Sequence, residues 1–188
     1  MPKMTAAEVR AAAAKRHYEP KILDNADRGD IAEEIVAGIL APPDWKYCGG
    51  AWAGWDFEHL DGTRIQLKQA AALQTWEPPK KSRPPCFNIK PQRGYWENGT
   101  KWIPATPPTR YADIYIFAWH GVTDKKTCDQ ADPAQWRFYV VPTTELPDTN
   151  TLPLATLQRR VAHDVDNLAA AVEDARCGVK RRPETAPG

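Results

Sequence analysis

Residues 54–69, GWDFEHLDGTRIQLKQ, decide the fold. Alternating apolar and polar positions flank Asp61-Gly62, the pattern of two antiparallel strands joined by a tight turn. A three-residue loop, Leu60-Asp61-Gly62, with the glycine in the left-handed conformation, sets Phe57 opposite Ile65 and Trp55 opposite Leu67, so that one face is apolar. The other face then gathers Asp56, Glu58, Arg64, Gln66 and Lys68, with Asp56 and Gln66 across from each other at ~5 Å between Cβ atoms. A two-residue Asp-Gly loop would mix aromatic and charged side chains on both faces, so burial favours the longer loop.

Upstream, Asp30 followed by Glu33 reads as a capping box opening a helix that carries Ile31, Ala32, Ile35, Val36, Ile39 and Leu40 on one face and stops at Pro42 and Pro43. Glu33 falls at the border of that face and Glu34 on its solvent side. A first capping box, Thr5 with Glu8, opens an alanine-rich helix ending before Pro20, which predicts an N-terminal helical appendage over residues 1–20. Between helix and hairpin, WKYC (45–48) reads as a short strand and GGAWAG (49–54) as a turn.

Downstream, YADIYIFAWHG (111–121) is apolar at nearly every position, as a strand buried on both faces should be, and WRFYVVP (136–142) is a second such strand. TDKKTCDQADPAQ (123–135) joins them as a polar connection. The stretch from Trp76 to Arg110 is rich in proline and basic residues, including Lys80, Lys81, Arg83, Lys90, Arg93, Lys101 and Arg110. It predicts an extended, positively charged excursion with at most a short strand at CFNI (86–89). Leu154, Leu157, Val161, Val165, Leu168 and Val172 have the spacing of one long amphipathic C-terminal helix closed by Gly178, followed by a disordered tail over 179–188. The chain therefore reads as one α/β domain over residues 21–178 with two appendages.

Composition narrows the class. No run approaches the ~18 apolar residues of a membrane helix, and MPKMTAAEVR lacks a secretory core, so a cytoplasmic protein is expected. Cys48, Cys86, Cys128 and Cys177 are far apart and read as free thiols; the four histidines are equally scattered, which argues against a zinc site or a Cys-His nucleophile. A formal net charge of +1 leaves a nucleic-acid partner to be judged from where the charge sits.

Gln66 and Lys68 stand two apart and so point the same way, while Leu67 between them sinks into the core. An acid on one strand, with an oxygen ligand and a lysine on the next, suits Mg²⁺-dependent phosphodiester hydrolysis. Oxygen ligands hold the ion, the ion acidifies a bound water, and the lysine steadies the developing negative charge. The segment resembles the D-x(n)-(D/E/Q)-x-K motif of the PD-(D/E)XK, or restriction-endonuclease-like, nuclease superfamily, with Asp56, Gln66 and Lys68 at the motif positions. Glu33 matches the glutamate that members commonly carry on the preceding helix, and the likeness spans about residues 30–175.

The resemblance implies a restriction-endonuclease-like mixed sheet flanked by helices and an endonuclease acting on DNA, with RNA left open. It further implies Asp56, Gln66 and Glu33 as ligands for Mg²⁺, Mn²⁺ as a substitute, Lys68 as the charge stabiliser, and compatibility with a homodimer. The chain departs from the family in carrying glutamine in place of the usual carboxylate at position 66. It departs again in the absence of a full crossover helix after Lys68, where Pro78 and Pro79 cut AAALQTW short. Lys90, Arg93 and Arg110 are the preferred phosphate contacts, and Gln69 and Gln74 are weaker candidates to touch substrate. Each signal has a plainer alternative: Glu33 as the capping partner of Asp30, and the basic stretch with Phe87, Tyr95, Trp96 and Trp102, which suits tracking a phosphate backbone and stacking on bases, as a solvated loop whose tryptophans fill the core. Two other classes stay open, a nucleic-acid-binding protein that keeps the fold without catalysis, favoured by Gln66, and a structural partner in a larger assembly, favoured by an exposed apolar patch.

Overall fold

The computed structural model describes residues 4–40, 43–49, 53–76, 84–97 and 99–179. Pro42, the turn residues 50–52, the prolines at 78 and 79, Lys80, Lys81, Arg83 and the tail from residue 180 lie outside them. Helix α1 spans Ala6–Tyr18 and α2 spans Asn25–Leu40; strands β1 (Trp45–Tyr47), β2 (Phe57–His59) and β3 (Arg64–Ala71) follow. Next come β4 (Cys86–Asn88), β5 (Gln92–Glu97), β6 (Lys101–Thr109), β7 (Ile114–His120), β8 (Trp136–Pro142) and β9 (Thr151–Pro153), then α3 (Leu154–Leu157) and α4 (Leu168–Gly178).

The protein is a mixed α/β structure whose central sheet has the order β1-β2-β3-β7-β8. All neighbouring strands run antiparallel except β3 and β7, which pair in parallel from Ile65↔Ile114 to Ala71↔His120. Side chains alternate across this sheet. Ile65, Leu67, Ile114, Ile116, Ala118, Trp136 and Phe138 face α2 and α4 in one core, while Tyr115, Phe117, Tyr139 and Val141 face β4, β9 and α3 in a second. β7 is buried along almost its whole length, as its unbroken apolar run requires.

The hairpin has the expected loop: Phe57 pairs with Ile65, Glu58 with Arg64, the His59 N–H reaches the Thr63 carbonyl at 2.9 Å, and Gly62 has φ +84°. Asp61 in that loop accepts from the Thr63 N–H at 3.0 Å and pairs with Arg176 of α4. Burial alone would raise its pKa, but the bonds from Thr63, His59 and Arg176 outweigh it and hold the carboxyl far below the usual range.

Several expectations are corrected. α2 starts at Asn25, so Asp30 is an interior residue that accepts from the Tyr18 hydroxyl at 2.9 Å, and no Asp30/Glu33 capping box exists. The long C-terminal helix is two helices. Between them the chain turns, and His163 pairs with Phe138 by two 2.8 Å backbone bonds, after which the Asp164 carboxylate takes the N–H groups of Asp166 and Asn167. Val161, expected on the apolar face, is 73% exposed. Val179, expected in the tail, bonds to the end of α4 and packs on the first core. Trp55 does not pair with Leu67; it packs with the second core, on the opposite side of the sheet. The basic excursion folds into β4, which pairs with β9, and into the β5–β6 ribbon.

The Thr5/Glu8 box caps α1, which buries no residue and touches α2 through His17–Asp27 and Tyr18–Asp30 contacts. All four cysteines are free thiols. No helix among the described residues is long and apolar enough to cross a membrane.

Asp61→Asn keeps an acceptor for Thr63 but removes the charge facing Arg176, and should cost about 1 kcal/mol at pH 7 in urea denaturation. Because the folded carboxyl is more acidic than the ~3.9 of an unfolded aspartate, the wild-type advantage should be full above that pH. It should be lost as pH falls through the depressed folded value.

Candidate functional site

The site forms where β2 leaves β3. The Asp56 N–H donates to the Ile65 carbonyl at 2.8 Å, and the Asp56 carbonyl accepts from Cys48 and Gly49 at 2.8 and 3.1 Å. Its Oδ2 accepts from the Leu67 N–H at 2.6 Å and from Gln66 Nε2 at 2.5 Å. A side chain thus takes the Leu67 amide that a strand partner's carbonyl would otherwise take. Gln66, only 6% exposed, and Lys68 lie beside Tyr115 and Phe117, on the face of the second core.

Glu33 comes from α2 and is partly buried, while Glu34 is exposed, as the helical wheel requires. Glu33 Oε2 accepts from the Tyr47 hydroxyl at 2.5 Å, which anchors the carboxylate to β1. Sequence reasoning missed Tyr47; its signal lay in the β1–β2 pairing, which sets Tyr47 against Phe57 with ring centroids 5.5 Å apart.

Electrostatics tie these groups together. Burial raises the pKa of Glu33, with the charges of Asp56 and Asp30 adding to it and the Tyr47 bond and Lys68 opposing. Burial likewise raises Asp56, against Lys68 and the bonds from Leu67 and Gln66. Burial lowers Lys68, against the pull of Asp56 and Glu33. Glu33, Asp56 and Lys68 therefore act on one another's charge in a poorly solvated setting, and Gln66 joins them through its bond to Asp56.

Asp56 and Glu33 each commit one carboxylate oxygen to the fold, and Gln66 commits its amide nitrogen. Among the described residues, the side-chain hydrogen bonds of Asp56 fall on Oδ2 and those of Glu33 on Oε2, and Gln66 uses its amide nitrogen. Asp56 Oδ1, Glu33 Oε1 and Gln66 Oε1 are left as hard oxygen donors, the kind that Mg²⁺ prefers. With glutamine at position 66, no group of three or more His, Cys, Asp or Glu side chains gathers among the described residues.

The remaining candidates sit elsewhere. Lys90 and Arg93 are exposed, Lys90 just beyond β4 and Arg93 on β5. Arg110 donates to the carbonyls of Ile89, Pro147 and Thr149 at 2.8–2.9 Å, so its guanidinium clamps the loop around β9. Gln69 and Gln74 both accept from the buried Arg28, at 2.7 and 3.2 Å, and serve the packing of α2 on β3. No family model matches the chain, and no curated protein does so either.

Gln66→Glu would replace the bond to Asp56 by two carboxylates in contact. Without metal we expect a loss of about 1–3 kcal/mol at pH 8. The new acid is more basic folded than unfolded, so the loss should grow as pH rises through its folded pKa and vanish below ~4.3. Urea denaturation at pH 4, 6 and 8 reads this directly.

Proposed function

We propose that the protein is a metal-dependent nuclease of the PD-(D/E)XK kind that hydrolyses DNA phosphodiester bonds. The observation that carries this is the Gln66–Asp56 bond with Lys68 on the same face of β3, and Glu33 within electrostatic reach of Asp56 and Lys68. Support also comes from the mixed sheet, in which an antiparallel hairpin carries the acid and the lysine and β3 pairs in parallel with a buried strand.

The donor set fits Mg²⁺ or Mn²⁺: hard oxygens, two of them on carboxylates whose burial is offset only in part by Lys68 and by the bonds from Tyr47, Leu67 and Gln66. Such an ion would supply Lewis acidity toward the phosphate and a more acidic bound water. The chain's own part is positional. Tyr47 fixes Glu33, Leu67 N–H and the Gln66 amide fix Asp56, and the sheet holds Lys68 two residues beyond Gln66. The Lys68 ammonium, desolvated and attracted by both carboxylates, is placed to offset negative charge on a phosphate seated over them. Lys90 and Arg93 offer exposed positive charge for the nucleic-acid backbone.

A specific observation favours a second reading. The Gln66 amide donates to Asp56, so two carboxylates stand where three would bind a cation more strongly, and the same fold could hold nucleic acid without cleaving it.

Pure protein with DNA and Mg²⁺ or Mn²⁺ should give cleavage that EDTA stops, and Lys68→Ala should slow it at least ~100-fold. Calorimetry should show Mn²⁺ binding to the wild type and none to Asp56→Ala. DNA binding without Mn²⁺ binding or cleavage would establish the second reading, and cleavage undiminished in Lys68→Ala would remove the site from the chemistry.

A further inference from the structure

A cavity of about 600 Å³ opens beside the site, between the β1–β2 end of the central sheet and the β5–β6 ribbon. Tyr47, Trp55, Tyr95 and Trp96 supply its aromatic lining, and Glu58 and Arg64 its polar one. Trp55 is fixed from two sides: Tyr95 lies 5.1 Å away between ring centroids, and the Arg64 guanidinium carbon sits 3.6 Å over its ring. Tyr95 in turn meets Tyr111 at 4.8 Å. Trp96 is different, 38% exposed and tilted against Trp102 with ring centroids 5.6 Å apart, so part of its ring remains open to an occupant.

The polar groups suit a neutral planar ring better than an anion. Lys46 and Arg64 are balanced by Glu58 and Glu97 around the cavity, so it has no net positive charge for a phosphate. Arg64 Nε meets Glu58 Oε2 at a long 3.4 Å, which leaves guanidinium donors and a carboxylate acceptor side by side. A base edge with an exocyclic amine next to a ring acceptor matches that pair. The volume falls in the range of small-molecule sites and admits a nucleoside.

Position links the cavity to the chemistry. Glu58 and Arg64 are cross-strand partners, and Arg64 and Gln66 share one face of β3, two residues or ~6.7 Å apart. We propose that this cavity takes one unstacked nucleobase of the strand whose phosphate lies at Glu33, Asp56 and Lys68. The base stacks on Trp96 and is read at its edge by Glu58 and Arg64. The assignment rests on the nuclease reading for its substrate, while its binding chemistry needs neither metal nor cleavage.

The test is binding of the full-length protein to single-stranded oligonucleotides in EDTA, by fluorescence anisotropy, with one abasic nucleotide moved along the sequence. One abasic position should weaken binding about 5- to 150-fold, the loss of one base–aromatic stack. Trp96→Ala should cause a similar loss and erase that dependence on position, whereas Trp96→Phe should restore both. Trp96 is exposed, and circular dichroism verifies the fold of each variant. Equal binding with the abasic nucleotide at every position, wild-type affinity in Trp96→Ala, or no binding to any oligonucleotide overturns the proposal. Position-dependent binding without Mg²⁺-dependent cleavage would remove the nuclease reading alone. Lys68-dependent cleavage with binding indifferent to Trp96 would remove the pocket alone.

Discussion

The carboxylate of Asp56 stands in the sheet where a backbone carbonyl would otherwise stand. By taking the Leu67 N–H, it lets β2 leave β3 without orphaning a buried donor, a loss that would cost about 1–3 kcal/mol. Every backbone polar group at that point is still used, since Ile65 takes the Asp56 N–H and Cys48 and Gly49 share its carbonyl. Because the ladder ends there, Trp55 is freed to cross to the second core, and the space between β1, β2 and the ribbon opens. The acid therefore shapes the site and lines it with the same atom group.

That arrangement sets an electrostatic requirement. Glu33 and Asp56 both lose hydration, and Lys68 is the ammonium that acts on each of them. Burying charge in this proportion opposes folding, and the two apolar clusters on either side of β3 and β7 supply the offset. The fixed bonds from Tyr47, Gln66 and Leu67 keep the carboxylates from turning toward solvent to relieve the strain. Under the proposed function, a divalent cation relieves the same imbalance that the fold tolerates, and the amide at position 66 lowers the cost of the metal-free state by donating to Asp56 where a third acid would repel it.

The parts of this structure governed by local periodicity were legible in the sequence. Gly62 and the alternation around it gave the hairpin loop and the Phe57–Ile65 pairing, and unbroken apolar runs gave β7 and β8. What escaped was decided by contacts distant in sequence. The departure of Trp55 depends on a side-chain bond from Asp56, which no alternation encodes. The apolar spacing across residues 154–172 is helical, yet His163 bonds to Phe138 of β8 and interrupts it. Arg28 gave no signal on the polar side of its helix, but Gln69 and Gln74 make its burial tolerable. Near the candidate site, the facing of Asp56 and Gln66 followed from the hairpin register, whereas the Tyr47–Glu33 bond and the cavity had no signal in the sequence.

The parallel pairing of β3 with β7 requires a crossover, and the chain makes it largely with strands where a helix is usual. β4 joins β9 to cover the second core, while among the described residues β5 and β6 pair only with each other. Such a ribbon is exposed to pairing with other chains unless its edges are blunted. Pro104, Pro107 and Pro108 in β6 offer no N–H groups to an incoming strand. At Gly94 a Cβ would strike the Ile103 carbonyl and the Trp102 ring, so the absent side chain lets Trp102 lie close over the ribbon backbone, where its ring meets Trp96. The ribbon is thereby poor at extending a sheet and well built to hold an aromatic face beside Arg64 and Glu58, which is why the crossover belongs to the site as much as to the fold.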